Sequence, residues 1–319
     1  GIEVGSFERS MDLDSLRHNA KSAVELLTLR RRAQAILREF PADLVVGTGG
    51  YASFPALKMG AKLGIPTCVH ESNAVPGLTT KLVARTASRV MVSFESSREH
   101  YPEPEKVLLT GTPVREEFLF AKRQEARQAL GLGEEPLVVS CWGSLGAREM
   151  NKKIAQFMKC ECEENTPFHH IHATGSFGWR WMPEYVKELG VDLAAHPRID
   201  MREYIYDMPQ VLAAADLIVC RAGAATIAEV CASGTPCIMV PSPNVTGNHQ
   251  EKNARVLERS GAAAVVREAD CDGKSLYETA KAILSDAGRM RAMRASARDM
   301  AVVDAAERIY QTALDLAKH

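Results

Sequence analysis

The stretch from residue 217 to residue 229 constrains the fold more than any other part of this sequence. An apolar run, Leu217–Cys220, has the length of a buried strand, and it leads through a turn with Gly223 into a helical segment that carries Glu229. The N–H groups and the dipole of a helix N-terminus favour an anion there. A carboxylate about one turn further along is placed to accept two neighbouring hydroxyl groups, such as those of a ribose. The stretch therefore indicates a nucleotide site, although an ordinary strand-to-helix connection with an exposed glutamate also fits.

Short apolar runs alternate with helical segments along most of the chain. The runs with the length of buried strands are residues 43–46, 67–70, 89–92, 106–109, 137–141, 169–175, 199–204, 217–220 and 237–241. This alternation predicts parallel sheets covered by helices on both faces. The loops after these runs carry glycine, asparagine and histidine, and open sheets of this class bind ligands at the carboxyl ends of their strands.

We therefore predict two α/β domains joined by a short polar segment. The chain of 319 residues is long enough for two domains of ordinary size. The N-terminal domain is expected at residues 1–116 and the C-terminal domain at residues 117–302. A last helix at 303–319 is expected to pack back on the N-terminal domain.

Charge and cysteine usage exclude several classes of protein. The formal net charge of -1 at pH 7 gives no general attraction to nucleic acid, so no nucleic-acid partner is predicted. The eight cysteines are irregularly spaced and several lie inside apolar runs, which is typical of buried thiols in a reducing compartment. No apolar stretch approaches the roughly 20 residues that a membrane-spanning helix needs.

Residues 13–40 have the spacing of one long helix, with Leu27, Ile36 and Phe40 on its apolar side. Its polar side is basic and carries Arg17, Lys21, Arg30, Arg31, Arg32 and Arg38. Two interpretations remain open for this side. It is either a solvated surface or a face that rests on anionic lipid, where each basic residue contributes about 1 kcal/mol.

A second glycine turn follows the apolar run that ends at Cys141, in the sequence Trp-Gly-Ser-Leu-Gly at 142–146. Two helix N-termini in one domain are able to converge on a diphosphate. The chain contains neither a dinucleotide fingerprint nor a P-loop, so hydride transfer and ATP hydrolysis are not supported. His249 and Gln250 open a further helix, where they are either solvated or placed to bind sugar hydroxyls.

The histidines indicate a functional site less clearly than the glycine turns do. His70 closes an apolar run beside Glu71, which fits either a general base or a buried structural histidine. His169, His170 and His172 lie along one predicted strand, and no carboxylate is spaced in the sequence to join them. No metal site is therefore predicted.

Six motifs occur in a fixed order along essentially the whole chain. They are Gly-Thr-Gly-Gly-Tyr-Ala-Ser at 47–53, His-Glu-Ser-Asn-Ala-Val-Pro-Gly at 70–77, Gly-Thr-Pro-Val-Arg at 111–115, Gly-Ser-Leu-Gly-Ala at 143–147, Arg-Ala-Gly-Ala-Ala-Thr-Ile-Ala-Glu at 221–229 and His-Gln-Glu-Lys-Asn-Ala at 249–254. In order and spacing the set resembles the MurG family, the bacterial peptidoglycan glycosyltransferases that add N-acetylglucosamine to lipid I.

The resemblance implies a GT-B fold, in which two Rossmann-like, doubly wound α/β domains face a central cleft. It implies UDP-N-acetylglucosamine as donor in the C-terminal domain and lipid I as acceptor in the N-terminal domain. The C4 hydroxyl of N-acetylmuramic acid would displace UDP with inversion, without a metal or another cofactor. The enzyme would lie peripherally at the cytoplasmic face of the bacterial membrane, against anionic inner-leaflet lipid.

The resemblance also implies roles for particular residues. Glu229 would hold the ribose hydroxyls, the backbone of Ile205 would meet the uracil, and Ser144 with the helix after Gly223 would face the diphosphate. The remaining donor-binding residues would be Arg115, His249 and Gln250. The acceptor-binding residues would be Gly49, Gly50, Tyr51 and Asn73.

The sequence departs from the family pattern in one respect. The family begins with a strand and a loop, Gly-Gly-Thr-Gly-Gly-His, whose histidine is its favoured catalytic base, and no such motif precedes Gly47. We therefore expect the N-terminal domain to lack its first strand and glycine loop, which leaves the catalytic base unassigned and His70 as a candidate. A related GT-B enzyme with a diacylglycerol acceptor, and an inactive UDP-sugar-binding fragment, are the alternatives.

Overall fold

The computed structural model describes residues 28–318. The chain divides into two compact units, an N-terminal unit of Gly1–Thr112 with Asp304–His319, and a C-terminal unit of Pro113–Val303. Residues 13–27 of the predicted first helix lie outside the described residues. Among the described residues, no helix combines the length and the apolar character that crossing a membrane requires.

The N-terminal unit is built on a four-stranded sheet in the order β1-β2-β3-β4, with parallel pairing throughout. Its strands are β1 Val45–Gly47, β2 Thr67–Glu71, β3 Arg89–Val92 and β4 Val107–Leu109. Its helices are α1 at residues 28–39, α2 Gly50–Lys62, α3 Leu78–Ala84 and, from the end of the chain, α13 Ala305–Ala317. The core between sheet and helices contains Leu57, Val69 and Val90. Arg308 of α13 donates to the Leu109 carbonyl at 3.1 Å, which ties the last helix to β4.

Helix α1 turns a different side to the core from the one that its spacing predicted. Ile36 and Phe40, expected on the apolar side, are exposed. Leu29 is buried instead, and Leu37 packs against the core of the N-terminal unit. These two leucines are two turns apart, so they share one face of the helix.

The C-terminal unit contains a six-stranded parallel sheet in the order β10-β9-β8-β5-β6-β7. Its strands are β5 Leu137–Cys141, β6 His169–Ala173, β7 Ile199–Arg202, β8 Leu217–Cys220, β9 Cys237–Met239 and β10 Ala263–Val265. From β7 to β10 this is the chain order 3-2-1-4-5-6 of a doubly wound fold. The order reverses between β5 and β8, so the loops that leave these two strands diverge and open a crevice.

Helices cover this sheet and supply most of its apolar core. They are α4 Glu117–Phe120, α5 Arg123–Ala129, α6 Arg148–Glu164, α7 Met182–Glu188, α8 Met208–Ala214, α9 Ala224–Ser233, α10 His249–Arg259, α11 Gly273–Leu284 and α12 Ala287–Asp299. Phe157 of α6 and Tyr277 of α11 meet edge to face, with ring centroids 5.3 Å apart, inside the core. Gly273 lets these two helices approach, because a Cβ atom there would lie 2.2 Å from the Lys153 carbonyl oxygen.

Arginines of α5 hold the end of α8. Arg123 donates to the Ala214 carbonyl at 2.8 Å and to Asp216 at 2.6 Å, and Arg127 reaches the other oxygen of Asp216 at 3.3 Å. That oxygen also accepts the backbone N–H of Leu137, the first residue of β5, at 2.9 Å. Cations at a helix C-terminus are favourable, and Asp216 compensates the two arginines. The carboxylate therefore links α5, the end of α8 and the start of β5.

Candidate functional site

A cavity of about 600 Å³ lies in the C-terminal unit where the strand order reverses. Its lining comes from the ends of β5 and β8, the loops that follow them, the loop after β7, the first turns of α9, and Arg115 and Gln250. This volume is within the range of small-molecule sites. The position at the carboxyl ends of the strands is the one expected for a ligand in a doubly wound sheet.

A tight turn after β5 forms one wall of the cavity. The Gly146 N–H donates to the Gly143 carbonyl at 3.1 Å, and the turn presents Ser144 to the cavity. Gly146 has a φ of 80°, and a Cβ atom there would lie 2.1 Å from the Thr174 carbonyl oxygen. Only glycine satisfies both the left-handed backbone and this close approach.

A second part of the lining is the N-terminus of α9, which follows β8 after a short turn. Gly223 is its N-cap, and the first turn contains no acid. Gly223, Ala225 and Thr226 line the cavity. Asn253 of α10 donates to the Ala222 carbonyl at 3.3 Å, which fixes the turn that leads into the helix. The helix thus directs first-turn N–H groups and the positive end of its dipole at the cavity, an arrangement suited to a phosphate group.

Glu229 lies one turn further along α9 and lines the same cavity. Burial raises its pKa from the ordinary value of 4.5, and the charge of Arg115 opposes that rise. The thiol of Cys141 is also on the cavity wall, where burial, followed by the charge of Glu229, raises its pKa to about 12. The carboxylate therefore lies in a partly desolvated place beside one cation, where hydrogen bonds are stronger than in water.

Arg221 adds a second cation to the wall. Its Nη1 donates to the Val240 carbonyl at 3.0 Å and lies 2.6 Å from a Glu268 oxygen. Its guanidinium also lies over the Trp142 ring, 5.6 Å from the centroid. These contacts hold the side chain in one orientation.

The loop after β7 brings Ile205 to the cavity between two tyrosines. Ile205 is buried, whereas Tyr206 is 84% exposed, and the Tyr204 and Tyr206 rings meet with centroids 4.9 Å apart. All three residues line the cavity. Ile205 was expected here from the sequence, whereas Tyr204 and Tyr206 were not. The available signal was a pair of aromatic residues around an isoleucine at the end of a predicted strand.

In the N-terminal unit, the loop after β2 is organised by a buried carboxylate. Glu71 accepts the backbone N–H of Asn73 at 3.1 Å, the Asn73 side-chain amide at 3.0 Å and the Gly77 N–H at 3.1 Å. Ser97 donates to the Ala74 carbonyl at 2.8 Å from outside the loop. The segment 70–77 is therefore a fixed structure at the carboxyl edge of this sheet.

Comparison with known proteins identifies the family to which this chain belongs. Residues 137–309 match the C-terminal domain of glycosyltransferase family 28, and residues 2–92 match the N-terminal domain of that family. The chain belongs to glycosyltransferase family 28. Two curated relatives are named UDP-N-acetylglucosamine–N-acetylmuramyl-(pentapeptide) pyrophosphoryl-undecaprenol N-acetylglucosamine transferase. The Acetivibrio thermocellus protein is 38% identical over 100% of this chain and 84% of its own length. The Thermoanaerobacter sp. (strain X514) protein is 40% identical over 97% of this chain and 83% of its own length.

Solved structures agree with the family assignment. Acinetobacter baumannii MurG superposes with a TM-score of 0.76 at 27% identity, over 92% of this chain and 80% of that chain. A UDP complex of Staphylococcus aureus MnaA superposes with a TM-score of 0.67 at 14% identity, over 93% and 83%, which shows the fold alone. The predicted resemblance to the MurG family is confirmed, as is the prediction of two α/β domains of the GT-B type.

Six of the seven donor-binding residues that the resemblance implied line one cavity. They are Arg115, Ser144, Ile205, Gly223, Glu229 and Gln250. Gln250 accepts the Ser242 N–H at 2.9 Å, which orients its amide. His249 lies outside this lining, with its Nδ1 donating to the Thr246 carbonyl at 2.9 Å. Their roles in binding a donor remain predictions.

The acceptor-binding residues that the resemblance implied lie at the carboxyl edge of the N-terminal sheet. Gly49 and Gly50 have φ values of 81° and 72° at the start of α2, and Tyr51 is exposed beside them. A Cβ atom on Gly49 would lie 3.8 Å from the His70 carbonyl oxygen, so this turn borders the loop that contains Asn73. The structure thus brings the four residues to neighbouring loops of one unit.

His70 is fixed by a structural contact. Its side chain is buried, and its Nε2 lies 2.8 Å from the Gly111 carbonyl oxygen. A carbonyl only accepts hydrogen bonds, so Nε2 carries the proton and donates it. This contact holds the end of β2 to the loop after β4, and it fits the structural interpretation of His70.

The expectation that no carboxylate joins the histidines of β6 was wrong. Glu161 of α6 accepts from His170 Nδ1 at 2.9 Å, and Ser140 of β5 lies 2.7 Å from both His170 Nε2 and His172 Nδ1. With His170 donating to the carboxylate, its Nε2 accepts from Ser140, and His172 Nδ1 donates to the Ser140 oxygen. Burial lowers the pKa of His172 well below 6.5, so this histidine is neutral. Among the described residues, no group of three or more His, Cys, Asp or Glu side chains is arranged to hold a metal ion.

A test of the loop after β2 follows from its hydrogen bonds. Replacing Glu71 with glutamine places an amide N–H group against a backbone N–H, so at least one hydrogen bond is lost at a buried position. Hydrogen exchange at the Asn73 and Gly77 amides is expected to accelerate about tenfold or more. The control is Glu95→Gln, which removes an exposed partner of Arg98 in the same unit. Equal exchange rates in the two variants would show that Glu71 does not organise this loop.

Proposed function

We propose that this family-28 chain transfers N-acetylglucosamine from UDP-N-acetylglucosamine to the C4 hydroxyl of N-acetylmuramic acid in lipid I, forming lipid II for peptidoglycan synthesis. The names of the relatives support this substrate pair. The observation that carries the proposal is the cavity at the switch point, which is lined by the first turn of α9, by Glu229 in the second turn of that helix, and by Gly143 and Ser144 of the turn after β5. That arrangement has one place for a ribose and another for a diphosphate.

The chemistry assigned to these groups is stabilisation of the leaving nucleotide. The acceptor hydroxyl attacks the anomeric carbon from the face opposite UDP, and the bond from that carbon to the β-phosphate oxygen breaks with its electron pair on the oxygen. The N–H groups of α9 and the turn at Ser144 meet the charge that develops there. Arg115 adds a positive charge to the lining of this cavity, and the Arg221 guanidinium, paired with Glu268, also lines it. The proton of the attacking hydroxyl goes to a base that we leave unassigned.

We further propose that the acceptor binds the N-terminal unit at Gly49, Gly50, Tyr51 and Asn73, and that the chain is peripheral at the cytoplasmic face of the bacterial membrane. In support, Arg32 and Ile36 are exposed one turn apart on α1, the exposed Phe40 follows the helix, and Arg31 and Arg38 are exposed on other sides of it. Arginine beside large exposed apolar side chains suits an anionic lipid surface.

The decisive experiment is calorimetric titration with UDP-N-acetylglucosamine and UDP-glucose, followed by turnover of lipid I by the same sample. Selective donor binding with formation of the disaccharide lipid is the expected result. Turnover of diacylglycerol in place of lipid I would show that the chain is a diacylglycerol glycosyltransferase. Binding without any turnover would reduce the proposal to a UDP-sugar-binding protein, and absence of donor binding would refute it.

The pKa shift of Glu229 predicts how donor affinity depends on pH. The ionised carboxylate accepts the ribose hydroxyls, and because its pKa is raised above 4.5, protonation begins at a higher pH than for an ordinary glutamate. Affinity for UDP-N-acetylglucosamine is therefore expected to be constant well above the raised pKa and to fall as the pH is lowered through it. Both phosphates of this donor are esterified, so the ligand keeps its charge over this range.

Calorimetry across the acidic range checks this dependence against the variant Glu229→Gln. The variant is expected to bind weakly at every pH and to lack the acidic decline. A decline of the same size in both proteins would place the titrating group elsewhere.

A further inference from the structure

Two loops at the carboxyl edge of the C-terminal sheet present large apolar side chains to solvent. Phe177 and Trp179 are 58% and 41% exposed, and Leu145 is exposed beside them. Together with Arg148 and Arg180, these side chains form what we call the aromatic rim. The contacts that define the donor cavity do not use Phe177 or Trp179.

The rim is a fixed part of the fold. The Phe177 N–H donates to the Leu145 carbonyl at 3.3 Å, which joins the two loops. Gly178 sits so close to α6 that a Cβ atom there would lie 2.2 Å from the Asn151 amide nitrogen. Beneath the rim, Trp181 packs against the core and meets Tyr185 with ring centroids 5.6 Å apart. Phe177 and Trp179 are exposed on a backbone that is held in place, and neither ring packs in the core. Exposed aromatic side chains of this kind indicate an interaction surface.

The charge of the rim is positive. The Arg180 guanidinium lies 5.8 Å from the Phe177 ring centroid, and that of Arg148 lies 5.5 Å from the Trp181 centroid. The segments 142–150 and 174–183 contain one acid, Glu149, which pairs with Lys152 at 3.0 Å. The next acid, Glu184, lies in the first turn of α7, where it faces the positive end of a helix dipole. Both arginines of the rim are thus left without a carboxylate from these segments.

We propose that the aromatic rim is a membrane-contacting surface of the C-terminal unit, with Phe177 and Trp179 entering the headgroup region of an anionic bilayer and Arg148 and Arg180 meeting lipid phosphates. Tryptophan and phenylalanine beside arginine are the side chains that settle at this interface, since their rings enter it and the charges remain at the phosphates. The inference rests on the proposed association with the membrane and names a surface for it.

Tryptophan fluorescence tests this surface directly. The chain has three tryptophans, and Trp142 is buried and Trp181 is packed against the core, so Trp179 is the one exposed to a bilayer. Vesicles of phosphatidylglycerol with brominated acyl chains are expected to quench the emission of the full chain and to quench the variant Trp179→Phe much less. Brominated phosphatidylcholine vesicles, which lack net charge, are expected to quench both proteins weakly.

A second measurement uses the affinity for vesicles. The double variant Phe177→Ser with Trp179→Ser is expected to bind phosphatidylglycerol vesicles about tenfold more weakly than the parent chain. The matched control is Phe120→Ser, since Phe120 is 73% exposed on α4 and lies outside the rim. Donor binding by calorimetry is expected to be unchanged in both variants and reports that each one is folded.

The outcomes separate this inference from the proposals on which it rests. Sedimentation with vesicles but equal quenching of the parent and Trp179→Phe would overturn the rim while leaving membrane association in place. Equal losses of affinity in the double variant and in Phe120→Ser would also overturn it. Self-association without vesicles that disappears in the double variant would assign the rim to a second copy of the chain. Failure of donor binding with intact Trp179 quenching would refute the proposed reaction alone.

Discussion

Replacing Glu229 with alanine is expected to weaken binding of UDP-N-acetylglucosamine by about 100-fold, since two hydrogen bonds to a carboxylate at about 1.5 kcal/mol each are lost. Glu229 lines the cavity from the second turn of α9, so a donor whose diphosphate meets the N-terminus of this helix would bring its ribose towards the carboxylate. The loss is expected in Kd measured by calorimetry. UDP and UDP-glucose are expected to lose the same factor, because they share the ribose.

The ligand supplies the sharpest control for this prediction. A donor analogue without the 2′ and 3′ hydroxyls is expected to bind the parent chain weakly and to lose almost nothing further in Glu229→Ala. Glu278→Gln, an exposed substitution on α11, is expected to leave the affinity unchanged. If the analogue loses the full factor as well, Glu229 contacts some part of the donor other than the ribose.

Replacing Asp216 with asparagine is expected to lower the free energy of unfolding of the C-terminal unit by about 3 kcal/mol. The carboxylate faces Arg123 and the largely buried Arg127, and it accepts the first N–H of β5. The substitution removes the carboxylate that is ion-paired with the mostly buried Arg127. All three tryptophans lie in this unit, so urea unfolding followed by tryptophan fluorescence reports the unit separately from the rest of the chain.

Helix α5 also provides the control for Asp216. Glu125 pairs with Lys122 at 2.9 Å on the exposed side of the same helix, and Glu125→Gln is expected to change the unfolding free energy by less than about 0.5 kcal/mol. A comparable loss in the two variants would indicate that the cluster around Asp216 contributes no more than a surface ion pair.

Most strands, and the grouping of Ser144, Gly223 and Glu229 around one cavity, were predictable from the sequence because their determinants are local. A buried strand such as Leu217–Cys220 is a continuous apolar run, and its glycine turn and helix start come directly after it. Once the sheet is parallel, the carboxyl ends of its strands share an edge, so Ser144, Gly223 and Glu229 were expected together. β10 was missed, because Ala263–Val265 is only three residues long and begins with alanine, which favours strands weakly.

Contacts between residues that are far apart in the chain could not be predicted from the sequence. Glu161 reaches His170 because α6 folds back over β5 and β6, and no spacing along the chain encodes that approach. The direction in which α1 faces also depends on its neighbours, since Leu29 and Leu37 are no more apolar than the exposed Ile36. The exposure of Tyr206 depends on where β7 ends, which its pattern of residues did not define.

The strand order of the C-terminal unit has a consequence for how this protein matures. β5 and β8 are neighbours in the sheet but are separated by β6, β7 and three helices along the chain. The part of the cavity lining that comes from β8 and α9 is therefore missing until β8 has docked, and a nascent chain that ends before Glu229 lacks this part of the cavity. Closing this long loop is an entropic cost that local contacts do not offset, so docking of β8 comes late in assembly. A nucleotide sugar that binds only the folded unit would therefore stabilise it only after β8 and α9 have docked.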